Sequence, residues 1–332
     1  MVPDRLTRPD SNYVQLAAKA LVREAIWWAT CRHRQGAQRN ICLFATRRGG
    51  STWAMEIIAA NRGLRALNQP LETLSRNLTY AQAFEIPRFP QGQITSLGEP
   101  EAVALGHYVA RMFSGELVVN APIRFWQSDF DRVSDRIVLK ITDAKAVIGW
   151  FDENVDADIL YLTRHPVAQS LSCIRNGWTL TSRSYLADPR FCATYLGAAE
   201  GRCHEVVAHG SVLEQWVLNW ALENVAPLSL LPDRPQWLHL RYEDAVLHAE
   251  RELLRLAQRL GLRDMERMEQ VLRRPSGSSR RSLGGTRAAI KKGDRSGALD
   301  GWRHKVTAED LQRTASVLEL VGIDPKAVVE KW

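Results

Sequence analysis

The stretch ICLFATRRGGSTW, residues 41–53, decides the fold. Ile41–Ala45 is a continuous apolar run, which makes a strand buried on both faces and points to a parallel sheet covered by helices. A helical pattern runs from Ser51 to about Arg62. Thr46–Gly50 is then the turn at the strand's carboxyl end, where open α/β sheets hold their ligands. Gly49 and Gly50 let the backbone wrap closely round a ligand oxygen. The N–H groups and positive dipole end of the helix start favour an anion. Arg48 adds a planar, permanently charged fork, and Ser51 and Thr52 add hydroxyl donors. An ordinary nucleoside-triphosphate loop requires Gly-x-x-x-x-Gly-Lys-Ser/Thr, with the hydroxyl on magnesium. Here Ser51 follows Gly50 directly and no acidic strand end stands out in a metal-binding position, so an ATP-dependent kinase ranks last among the readings.

Further strands are read at Arg136–Ile141 (RIVLKI), Ala157–Leu162 (ADILYL) and Gln236–Tyr242 (QWLHLRY), and helices at Val212–Val225, Ala249–Leu260 and Thr307–Leu320. Short apolar strands alternating with helices predict an α/β fold of three layers, α/β/α, around a central parallel sheet. Residues 66–135 read as irregular, with Glu85–Gln93 a loop by its prolines and glycine. Residues 273–301, dense in Arg, Ser and Gly, read as a basic loop. Two parts follow: an N-terminal helical extension, 1–39, and a single domain, 40–332.

The helical segment Leu16–Arg34 carries Lys19, Arg23 and Glu24 beside Trp27 and Trp28. It either packs on the domain or lies on a membrane surface with the two tryptophans inserted. Arg5, Arg8 and Asp10 interrupt any signal-peptide core, and no run approaches the roughly 18 apolar residues of a membrane span. A cytoplasmic protein, at most peripheral to a membrane, is expected. The 332 residues are 45% hydrophobic and 24% charged, an ordinary globular balance with room for a core around a small-molecule site. A net charge of +7 and a pI near 9.3 fit a polyanionic ligand and equally a solvated basic surface; no nucleic-acid partner is expected. The five cysteines are scattered with no Cys-x-x-Cys pair, so reduced thiols are expected and neither a disulfide framework nor a metal site.

The second informative stretch is YLTRHPVAQSLSCIRNGW, residues 161–178. A strand end leads to Arg164-His165-Pro166, and Pro166 suits a first helical position. Arg164 and Ser172 stand eight residues apart, so they meet only if the turn brings Arg164 back against the helix. A fork and a hydroxyl would then face one phosphate. The two stretches together resemble the nucleotide motifs of sulfotransferases that use 3′-phosphoadenosine 5′-phosphosulfate (PAPS). In that family a strand leads to Pro-Lys/Arg-Ser-Gly-Ser/Thr-Ser/Thr, often followed by Trp or Leu, as the 5′-phosphosulfate loop. Arg48 falls on the family's Lys/Arg, Ser51 and Thr52 on its hydroxyl pair, and Trp53 on the residue that follows. Arg47 stands where the family has proline, and Gly49 where it has serine. The family's 3′-phosphate motif is Arg-Asn/Asp/His-Pro with a serine eight residues after the arginine, which Arg164 and Ser172 match.

The resemblance implies a P-loop-like sulfotransferase fold, with PAPS held along Arg47–Trp53 and by Arg164 and Ser172. LRYEDAV (240–246) is similar to the family's Tyr-Glu-Asp segment, which implies that Tyr242 lies near the adenine. KKGDRSGALDGWRH (291–304) is similar to a loosened Arg-Lys-Gly…Gly-x-Trp loop that closes over the 3′-phosphate. Lys291, Lys292, Gly293 and Trp302 are the implied equivalents, with Arg295-Ser296-Gly297 as the other choice. The likeness covers residue 40 to the end; residues 66–135 and 178–235 carry little of it, as expected of stretches that build the acceptor pocket.

What it implies chemically is in-line transfer of a sulfuryl group to an acceptor hydroxyl, releasing adenosine 3′,5′-bisphosphate. The leaving group is a stable phosphate, so no metal is required. Arg48 acts electrostatically, since it cannot lose its proton at accessible pH. One branch of the family takes its base from a histidine two residues after a strand lysine. Val138–Asp143 (VLKITD) supplies Lys140, but Thr142 stands at the histidine position, and Asp143 would point to the other face if the strand continued. Other branches, including carbohydrate-directed ones, use a glutamate beyond the first loop, often beside a proline. Asn68–Leu74 (NQPLETL) offers Glu72, with Gln69-Pro70 where Glu-Pro is common. Glu72 leads as base, with Asp143 and His107 behind it. The acceptor expected is a sugar, glycolipid or other hydroxylated metabolite rather than a small phenol. A protein that binds PAPS or its product without turnover is the second reading.

Overall fold

Five parallel strands make the centre of the molecule in a computed structural model, which describes residues 31–71, 92–117, 131–273 and 299–328 and a few positions between 21 and 29. They are β2 (Asn40–Ala45), β3 (Leu64–Asn68), β5 (Arg136–Ile141), β6 (Ala157–Thr163) and β7 (Leu238–Arg241), in the order β3-β5-β2-β6-β7. A two-residue pair, β1 (Arg32–His33) with β4 (Val133–Ser134), lies apart from this sheet. It joins residues just ahead of β2 to the domain, and Cys31 belongs to the main core.

Alternation along each strand sends side chains to two opposite cores. Cys42, Phe44, Leu139, Ile141, Ile159 and Tyr161 face one side, against the helices α2 (Glu99–Phe113) and α3 (Ile148–Asn154). Ile41, Leu43, Ala45, Val138, Leu160 and Leu162 face the other, against α1 (Ser51–Ile58), α7 (Ala249–Leu260) and α8 (Met265–Leu272). The fold is therefore three-layer α/β/α around a parallel sheet, as the apolar runs predict. A third core gathers α4 (Pro166–Arg175), α5 (Val212–Leu230) and α9 (Ala308–Leu320), with Tyr242–Leu247 forming α6.

The structure differs from the sequence reading in the span 66–135. That span contains most of β3, which pairs with β5 from Leu64↔Arg136 to Asn68↔Lys140, and the helix α2. β3 was hidden because Arg65 sits inside it, buried with its guanidinium on the Asp131 carbonyl. The fourth strand is shorter than Gln236–Tyr242, since Tyr242 opens α6 instead of ending β7. α5 runs beyond Val225 to Leu230, through Pro227, from a capping box of Ser211 and Glu214. Glu85–Gln91 lies outside the described residues, as do residues 274–298, and Trp27 and Trp28 do too. No described helix is long and apolar enough to cross a membrane. All five cysteines are buried, and none of them is in a disulfide.

Candidate functional site

β2 and β6 are direct neighbours, with Ala45 opposite Leu162, so their carboxyl-end loops are brought side by side. The first of them is tight. The Gly49 N–H donates to the Thr46 carbonyl at 3.0 Å, and a Cβ added at Gly49 would stand 2.8 Å from that oxygen. This is a physical reason for glycine where the related motif has serine. Gly50 adopts φ 91°, and a Cβ there would lie 2.5 Å from the Tyr242 ring. Both the left-handed backbone and the ring contact call for glycine. We expect Gly50→Ala to cost about 1–3 kcal/mol in unfolding free energy and to weaken any ligand of the loop, read by chemical denaturation and titration. As the N-cap of α1, Gly50 supplies no side-chain cap, so the helix opens with backbone donors not covered by its cap residue.

Arg48 is the centre of the second contact set. It is not a glycine, yet its φ is 63°. Its carbonyl accepts from Arg164 Nη1 at 2.9 Å, and its Nε donates to Ser172 Oγ at 3.3 Å. The arginine and serine read from the sequence as a pair are thus both brought to Arg48. The Arg164 guanidinium carbon also lies 4.7 Å above the Tyr242 ring, which meets Trp53 edge to face at 5.8 Å.

His165 organises the turn between these groups. Its Nδ1 accepts from the Val167 N–H at 3.2 Å, its own N–H donates to Glu243 at 3.0 Å, and its ring centroid is 4.4 Å from that of Trp302. Trp302, from the segment similar to a closing loop, is therefore seated against His165, the residue after Arg164. Lys291, Lys292 and Gly293, and the alternative Arg295-Ser296-Gly297, lie outside the described residues. Burial, aided by Arg303 and Arg164, lowers the His165 pKa to about 3. The unfolded chain, with an ordinary histidine, takes up a proton below about pH 6.5 that the folded chain refuses. Stability contributed by neutral His165 is complete above that pH and is lost as pH falls towards 3. In His165→Gln, the fall in melting temperature between pH 7 and pH 4.5 should be shallower than in the native protein, with His239, lowered to about 4 by burial, left to supply part of the slope.

On the other side of the loop lies Lys140. Its ammonium donates to Asn68 at 2.8 Å, to Thr52 at 3.2 Å and to Gln69 at 3.4 Å. Gln69 also donates to Thr142 Oγ1 at 2.9 Å, and Thr142 in turn donates to Asp143 Oδ1 at 3.0 Å. Asp143 does not point away as strand continuation would require, because β5 ends at Ile141 and the next two side chains bond to each other. It is buried and also accepts from Gln93 at 3.3 Å. His107 is exposed on α2, whose neighbours Leu105, Tyr108 and Val109 face the core. Glu72 lies outside the described residues.

Beneath the loop is a polar network that sequence reasoning missed. Glu223 on α5 accepts from Lys145 at 2.6 Å, from Asn219 and from Thr181 at 2.9 Å each, and lies 3.6 Å from Arg47. Burial opposes its charge, but Lys145 and Arg47 more than offset that and hold the carboxyl below the usual range. Lys145 reaches Thr46 Oγ1 at 3.3 Å, and Asn224 donates to the same hydroxyl at 3.1 Å. The Arg47 guanidinium is turned towards Thr179, Thr181 and Glu223, with the Trp178 ring 5.4 Å away. The signal available was two amides and an acid, Asn219, Glu223 and Asn224, within the mostly apolar middle of a helix.

The arrangement gathers Arg48, Arg164 and Lys140 with a helix N-terminus at the carboxyl edge of the sheet, which suits a ligand with more than one anionic group. No protein-family model matches this sequence, and no curated protein does. Among solved structures, the chain is similar to the sulfotransferase domain from the curacin biosynthetic pathway, at 17% identity over 86% of this chain and 99% of that one, with a TM-score of 0.44. It is also similar to the sulfotransferase domain of the Synechococcus PCC 7002 olefin synthase (16% identity, 88% and 99% covered, TM-score 0.42) and to a mouse sulfotransferase complexed with PAP (13%, 89% and 88%, 0.38). These are remote likenesses of overall fold and carry no chemistry with them.

Proposed function

We propose that this chain is a PAPS-dependent sulfotransferase that acts on a hydroxyl of a sugar, glycolipid or other hydroxylated metabolite, as a cytoplasmic protein at most peripheral to a membrane. The observation that carries the reading is the meeting of two motifs on one residue: Arg48 of the first loop is bonded by both Arg164 and Ser172 of the second. A nucleotide phosphorylated at both its 5′ and 3′ positions needs two adjacent cationic cradles of this kind.

The residues present fit such a co-substrate. Arg48, Ser51, Thr52 and the opening N–H groups of α1 would hold the 5′-phosphosulfate, Arg164 and Ser172 the 3′-phosphate, and Tyr242 and Trp53 the adenine. The donor supplies an activated sulfuryl group. Arg48 offsets the negative charge that grows on the bridging oxygen as the S–O bond breaks, and it does so without transferring a proton. Lys140, bonded to Thr52 and held by Asn68 and Gln69, adds a second positive charge at the loop. The acceptor hydroxyl must give up its proton to a carboxylate, for which Glu72 is the first choice and Asp143 the second. The rest of the acceleration is positioning.

Transfer of labelled sulfate from PAPS to a mixture of extracted hydroxylated metabolites, with chelator present, tests this directly. Label on an acceptor supports the enzyme; binding of adenosine 3′,5′-bisphosphate with no transfer to any acceptor supports a binding protein instead. In Glu72→Ala, near-normal turnover would move the base to Asp143.

A further inference from the structure

We infer that Glu223 is the positioning residue of the phosphosulfate loop and that Arg47 is the loop's anchor to it rather than a ligand of the nucleotide, an inference that rests on the sulfotransferase reading. The related motif has proline at this position, which fixes the backbone by its ring. Here the same place holds an arginine whose side chain is only 12% exposed and reaches Thr181 at 3.4 Å and Glu223 at 3.6 Å. Glu223 is 1% exposed and links three segments: Lys145 after β5, Thr181 beyond the helix that carries Ser172, and Arg47 in the loop. Lys145 closes the circuit by bonding Thr46, the residue ahead of Arg47. The Arg47 carbonyl is held from α4 as well, by Gln169 at 2.6 Å. Each of the loop's two faces is thus assigned: Arg48, Ser51 and Thr52 towards the anion, Thr46 and Arg47 towards the buried carboxylate. A buried ion pair adds little net stability over an apolar filling of the same shape. Its use here is to fix where the loop sits.

Hydrogen–deuterium exchange on the full chain, with and without adenosine 3′,5′-bisphosphate, tests the anchor. In Arg47→Met, which leaves Glu223 paired with Lys145, amides of residues 46–53 and 178–182 should exchange about tenfold faster, while β5 and α7 keep native protection. Arg47→Lys should restore most of that protection, and Glu223→Gln should reproduce the Met result wherever it folds. Turnover should fall with loop protection in Arg47→Met, while the bisphosphate Kd moves by less than about threefold. Native loop exchange in Arg47→Met overturns the anchor, as does a loss of bisphosphate affinity as large as the loss of turnover. If the bisphosphate leaves the native protein's exchange unchanged, the nucleotide reading fails, and the nucleotide-free exchange still decides the anchor.

Discussion

Arg48→Gly should lose about 10²–10³ in turnover, the range seen when one preorganised donor to a developing oxyanion is removed, while the protein stays at least as stable. The two halves of this expectation have separate causes. Residue 48 sits at φ 63°, a conformation that costs a side-chain-bearing residue about 1–2 kcal/mol and costs glycine almost nothing. Glycine there relieves strain, at the expense of a looser unfolded chain. The side chain it removes is the one that reaches Ser172 and would face the leaving oxygen. Affinity for adenosine 3′,5′-bisphosphate should fall far less than turnover, because Arg164, Ser172 and the α1 amides remain. A variant that is more stable yet nearly inactive identifies a side chain kept for chemistry. Denaturation and steady-state kinetics on the same preparation read both halves.

The second large effect is structural. Glu223→Leu leaves Lys145, fully buried, and Arg47 without their shared carboxylate, and should cost about 3–5 kcal/mol. The asymmetry is instructive: removing Lys145 as well, in Lys145→Met/Glu223→Leu, should regain a large part of that loss, since the penalty lies in the uncompensated charge and not in the missing bond. Acid should mimic the single variant. Glu223 is held below the usual carboxylate range, so its contribution is complete above about pH 4.5 and is lost as pH falls through its lowered value. Additive losses in the double variant would show that the pair does not act as a unit.

Much of the sheet was legible because parallel strands are buried on both faces and therefore read as apolar runs, as in Ile41–Ala45 and Ile159–Leu162. β3 was not, since LRALN carries a charge whose burial depends on Asp131, far off in the chain. α2 did carry its signal, with Glu99, Pro100 and Glu101 in its first turn and Leu105, Tyr108, Val109 and Met112 at helical spacing, but the proline and glycine signals in the sequence ahead of it masked the pattern. At the candidate site, Arg48, Gly50, Arg164 and Ser172 stand in local motifs that can be read from consecutive residues. Their meeting point cannot, as it needs β6 beside β2. The Glu223 network was beyond reach for the same reason: Lys145, Arg47, Thr181 and Glu223 come from four separate segments, and nothing in their spacing joins them. Arg47 is read with the loop's ligands because it stands next to Arg48; its guanidinium lies 3.6 Å from Glu223, a contact that no local motif announces.

In the proposed function, one ligand with phosphates at both 5′ and 3′ positions bridges the two loops. Isothermal titration of adenosine 3′,5′-bisphosphate into the full chain, with chelator in place of magnesium, tests it most directly. Saturable one-to-one binding is expected, weakened by roughly tenfold or more in Arg164→Ala, where a charge-assisted contact is lost, together with much weaker binding of adenosine 5′-monophosphate. Equal affinity for the monophosphate, or binding that appears only for ATP with magnesium, would contradict it.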